Sequence, residues 1–201
     1  MEINLQHLES LLLAWPDELP ELTNKKGLDK ITRIAISIRK QLRSEAESEL
    51  LTQLSLNPRD VNYLWLLAYI RLHQEDFESA GVLISDGLKQ SIEISNAFQI
   101  LDFKLRLAKI NKHQNSNSED KFLLFKEITN FSNNSTWCYL MRLAICISVG
   151  QLKEANVLIN NYQGKNSLEF VRFRARLLQS QNKLEAALDL LMDAINRFPN
   201  H

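Results

Sequence analysis

The constellation in this sequence best suited to acid/base or metal chemistry is His73, Glu75 and Asp76. Such a set can act as acid and base or hold a metal ion. It lies in a short polar stretch between two apolar periodic segments, where solvated hairpin-turn residues are the expectation. His7, His113 and His201 read as a helix-surface, a loop and a chain-end residue, so the histidines do not converge. Cys138 and Cys146 are eight positions apart in what reads as one helix. That separates them by roughly 12 Å, too far for a disulfide, and both are expected to be small buried hydrophobes. No glycine-rich phosphate loop, paired CxxC, HExxH or GxSxG occurs, which removes the strong signatures of nucleotide, zinc and acyl chemistry. No catalytic residue, cofactor or metal is therefore expected, and the chain is read as not an enzyme.

Two clusters have recognition chemistry instead. Trp65, Tyr69 and Leu72 share a helical face different from that of Leu64, Leu67 and Ala68. Aromatics there either anchor a partner or belong to a helix buried on every side. Arg172, Arg174 and Arg176 form a basic cluster, with Arg172 and Arg176 one turn apart. They either hold a carboxylate or make a solvated helix face with local ion pairs.

The elements that must position these residues are helices. Of 201 residues only five are Gly and four Pro, a composition that favours helix over sheet. Twenty-four basic residues cancel twenty-four acidic ones, so no overall field draws the chain to nucleic acid or to an anionic membrane. The first residues carry acids rather than a basic signal-peptide region, and no apolar run reaches the length of a membrane span. A cytoplasmic protein is expected. On that ground the acceptor tripeptides at Asn130, Asn133 and Asn134 are read as chance.

The spacing predicts a first helix over 3–15 with Leu5, Leu8, Leu12 and Trp15, stopped by Pro16 and Pro20. Ile31, Ile34, Ala35, Ile38 and Leu42 mark a second helix; Ser44 and Glu47 can open a third, or one helix spans 29–56. From Val61 a helix–turn–helix pattern recurs in units 61–94, 95–135, 136–167 and 168–201, beyond an N-terminal region 1–57. Asn166/Glu169 and Asn182/Glu185 are candidate cap pairs. The polar loop from Asn111 to Ser118 separates the helices of the second unit. A single hairpin cannot bury its apolar faces, so neighbours must stack on it.

These units resemble the tetratricopeptide repeat. In the unit from Val61 the matches are Leu64, Leu67, Ala68, Ala80 and Ile84, with Arg71 and Gly87 departing and Ile92 where Pro is usual. In the unit from Leu168 they are Val171, Ala175, Leu178, Leu184, Ala187, Leu191, Ala194 and Pro199, with Arg174 departing. Ala46, Leu50, Leu54 and Pro58 look like half of a degenerate unit, while Asp102 occupies a small-residue position and the unit from 136 needs a shorter turn to align Ala144 with Ala155. The resemblance implies an all-α, right-handed superhelical stack of antiparallel hairpins. It also implies a concave groove lined by the first helix of each unit, namely Trp65, Tyr69, Leu72, Phe103, Arg106, Met141, Ile145, Arg172 and Arg176.

The expected function is a non-catalytic adaptor or chaperone that holds a peptide or amphipathic helix of another protein in that groove. Bacterial secretion chaperones of this repeat class are similar in size. The alternatives are a structural subunit assembling through its outer faces, including a homodimer, and a regulatory or enzymatic subunit using the turn around His73.

Overall fold

The computed structural model describes residues 5–13, 29–40, 42–112, 118–132, 135–163 and 167–197, and every regular element among them is a helix. In chain order these are α1 (Leu5–Leu12), α2 (Lys30–Arg39), α3 (Arg43–Leu56), α4 (Val61–His73), α5 (Phe77–Leu88), α6 (Ile92–Lys112), α7 (Ser118–Asn130), α8 (Thr136–Ser148), α9 (Leu152–Asn161), α10 (Leu168–Ser180) and α11 (Leu184–Arg197). Trp15, Pro16, Pro20, His113, Asn133, Asn134, Asn166, Pro199 and His201 lie outside the described residues. None of the described helices is long and apolar enough to cross a membrane.

Local sequence sets five of the helix starts. Asp29, Asp60, Asp76, Ser135 and Ser167 sit at N-caps, and each side chain accepts a hydrogen bond from a backbone N–H two or three residues on, satisfying a donor the helix cannot. The segment 29–56 is two helices. The second begins at Arg43 behind Leu42, which makes no side-chain cap bond, so Ser44 is inside the helix rather than its cap.

One backbone turn recurs in three of the hairpins. Glu75, Gly150 and Asn182 each take positive φ, at 60°, 78° and 60°. The following N–H donates to the carbonyl five residues back, Asp76 to Arg71 at 3.0 Å, Gln151 to Cys146 at 2.8 Å and Lys183 to Leu178 at 2.9 Å. This is the Schellman closure, which satisfies the last carbonyls of a helix and turns the chain at once. Asn182 thus stands in the turn and not at the start of α11 as a cap.

Each helix packs on its neighbours in sequence, and α2, α4, α6, α8 and α10 pack also on one another in succession. These five make one layer, and the intervening helices lie against it. Small residues sit at the crossings within hairpins: Ala68 and Ala80, Ala144 and Ala155, Ala175 and Ala187 are all buried. A side chain larger than methyl there would hold the helices apart. Gly87 has the same role in a tighter place, since a Cβ on it would lie 2.2 Å from Phe98 Cγ. The main hydrophobic cluster runs from Leu8 to Leu177, and a smaller one joins Leu168 and Val171 to Ala194. The row curves far enough that Arg39 of α2 reaches Glu169 of α10, 130 positions later, in a 3.2 Å ion pair.

Candidate functional site

That curvature encloses a cavity of about 800 Å³ on the inner side of the row. Tyr69 and His73 of α4, Ile100 and Lys104 of α6, Trp137 and Met141 of α8 and Glu169, Arg172 and Arg176 of α10 supply its floor. Leu184, Ala187, Leu188 and Leu191 of α11 make one wall, and Leu13, just past α1, contributes from the opposite end of the chain. One helical turn separates the contributors in each floor helix, Ile100 from Lys104 and Trp137 from Met141, because that is the spacing that keeps side chains on one face.

The floor is an aromatic group with charge on top. Tyr69 lies 4.5 Å from the His73 ring and 5.1 Å from Trp137, which it meets nearly edge-on. Lys104 places its ammonium 4.5 Å from the centre of Tyr69 and 5.5 Å from that of Trp137, within cation–π range of both. It also donates to His73 Nε2 at 2.9 Å. The Lys104 charge, then burial, then Arg43 hold the His73 imidazole far below its ordinary range, so it accepts that bond as a neutral ring. Burial lowers the Lys104 amine to about 8, with Glu169 pulling the other way. Burial likewise raises the Tyr69 phenol. Arg172 and Arg176 are exposed along the rim, and neither pairs with a carboxylate among the described residues.

Of the residues expected in a groove, Tyr69, Met141, Arg172 and Arg176 line the cavity. Trp65, Leu72, Phe103 and Ile145 do not: all four are core. The Trp65 indole is fully enclosed, meets Trp137 edge-on at 5.6 Å and donates from Nε1 to the Ala97 carbonyl at 3.1 Å. The reason is that α4 has helices on several sides, α2, α3, α5 and α6, so its apolar residues are covered nearly all the way round. Arg106 is placed elsewhere, with Glu127 of α7 and Asp102 accepting its guanidinium.

The turn cluster separates in three dimensions. Asp76 caps α5, Glu75 pairs with Lys112 at 2.9 Å and only His73 faces the cavity. Among the described residues no group of His, Cys, Asp and Glu is arranged to hold a metal ion. Cys138 and Cys146 are buried and unbridged. Sequence reasoning missed Lys104, Trp137, Glu169 and Phe173 as cavity residues. The available signal was their register one turn from Ile100, Met141, Arg172 and Arg176 on helices already identified as inner. No family model, no curated protein and no solved structure matches the chain.

Proposed function

We propose that this chain is a non-catalytic interaction module of tetratricopeptide-like, right-handed superhelical build, an adaptor or chaperone that receives a helix of another protein across the mouth of its cavity. The observation that carries the reading is the wall formed by α11. Leu184, Leu188 and Leu191 line the cavity and yet stay 54%, 60% and 39% exposed. Their i, i+4, i+7 spacing is the stripe an apposed amphipathic helix fits. The basic rim of Arg172 and Arg176 favours acidic residues flanking the apolar face of that partner, acting mainly on its rate of association.

Photo-crosslinking residues placed singly at Leu188, Val82 and Leu51 test this in native lysate. Val82 and Leu51 are exposed apolar residues on α5 and α3, helices that do not line the cavity. Capture of a protein from Leu188 alone is the expected result. Capture from Val82 or Leu51 alone transfers the function to the outer faces, and absence of capture from Leu188 rejects the groove. A second reading, self-association, is favoured by Met192 and Ile195, which extend the apolar stripe of α11 outside the cavity at 50% and 52% exposure. Light scattering at tens of micromolar decides it, since specific dimers persist there.

A further inference from the structure

A second, smaller chamber of about 270 Å³ adjoins the cavity, and Tyr69, His73, Glu169 and Arg172 line both. The two chambers differ in chemistry. The large one is walled mostly by apolar and aromatic side chains. The small one brings Arg39 and Arg43 to Arg172 and Glu169. Glu169 is already engaged by Arg39. Among the described residues no carboxylate pairs with Arg43 or Arg172. The small chamber therefore has more positive charge than its own anion can compensate. Arg43, which is held partly out of water, gains most from an anion that enters beside it, and the exposed Arg172 can close on the same anion.

We propose that the two adjoining chambers bind a single-chain anionic amphiphile, a carboxylate head between Arg43 and Arg172 with its alkyl chain along Trp137, Met141 and Phe173. The volume of the larger chamber is within the range of small-molecule sites, and its polar residues His73, Glu169 and Arg172 are shared with the small one, a place for the head of a ligand. A neutral apolar ligand would leave the two arginines uncompensated, and a compact anion would leave the large chamber empty. The carboxylate presents two oxygens in the plane a guanidinium fork can meet. His73 lines both chambers and Lys104 donates to it from the large one, where the ammonium adds to the field felt by the head. This goes beyond the partner reading and does not rest on it: a helix across the mouth meets Leu184, Leu188 and Leu191, a ligand beneath it meets the floor, and Arg172 is common to both.

Isothermal titration calorimetry of the full chain with sodium hexanoate, octanoate, decanoate and dodecanoate, each kept below its micelle concentration, tests the assignment. One ligand per chain is expected, with affinity rising about threefold to fourfold for each added CH₂ as apolar surface is buried. Dodecyltrimethylammonium should bind at least about tenfold more weakly than dodecanoate, and Arg43→Gln and Arg172→Gln should each weaken dodecanoate by about tenfold. These two arginines are half-buried and exposed, so the variants keep the fold, which circular dichroism verifies. The chain-length and head-charge series use the unaltered protein and decide the matter if a variant does not fold. No saturable heat with dodecanoate, several ligands per chain, or equal affinity for the two head charges overturns the proposal. So does dodecanoate binding that both arginine variants leave unchanged. Photocapture of a protein at Leu188 is indifferent to all of these outcomes, so the two readings fail separately.

Discussion

Trp65→Ala is the substitution that separates core from groove. The indole is fully buried, stacks on Tyr69 at 5.9 Å, meets Trp137 edge-on at 5.6 Å and gives its N–H to the Ala97 carbonyl at 3.1 Å. A buried Trp removes about 200 Å² from water, which at about 25 cal/mol per Å² is about 5 kcal/mol. The lost hydrogen bond adds about 1 kcal/mol, and partial collapse of the void returns part of the sum, so about 3–5 kcal/mol is expected. For a chain of this length each kcal/mol corresponds to about 2–4 °C, so the melting temperature should fall by about 10 °C. Trp65→Phe keeps a ring but leaves the carbonyl without its donor, and should cost about 1–2 kcal/mol. Urea unfolding and thermal melting followed by far-ultraviolet circular dichroism measure both. An alanine variant that melts within about 3 °C of the parent would refute the assignment of Trp65 to the core and return it to the binding surface.

Other perturbations report on other parts of the structure. Gly87→Ala would ordinarily stabilise a helix by about 1 kcal/mol; here the new Cβ meets the buried Phe98 ring at 2.2–2.3 Å, and a loss of about 1–3 kcal/mol in urea unfolding is expected instead. Burial raises the Cys146 thiol to about 11, with Glu154 adding to it, and Cys138 is fully enclosed, so neither should react with Ellman's reagent at pH 8 until the chain is unfolded; fast reaction of one native thiol would show that helix α8 opens. Lys104→Met should raise stability below pH 8. The native amine titrates near 8 against an ordinary 10.5, so the unfolded chain binds more protons in that interval and the parent's handicap disappears as pH climbs through it. The gain from the methionine should therefore shrink from pH 8 to 10.5, and a gain that is constant with pH would place the Lys104 ammonium in open water.

The helices and the small residues at their crossings were legible in the sequence, because both show in the pattern along the chain, whereas the expected caps were not: Ser44 lies inside α3 and Asn182 in a turn. Ala68 and Ala80 match the small positions of the repeat that the chain resembles, while Asp60, Asp76 and Ser135, which do cap helices, carry no mark in the sequence that sets them apart from other polar residues of their turns. The candidate groove was legible only in part. Helix α4 is apolar on nearly all faces, so its sequence contains no amphipathic signal to tell Tyr69, which borders the cavity, from Trp65, which does not. That distinction depends on which helices stack on which side. Tertiary structure alone placed Lys104 against His73, 31 positions away, and Arg39 against Glu169, 130 positions away. Local spacing fixes the face on which a residue lies, but the curvature of the whole row, summed over every helix crossing, decides what that face meets.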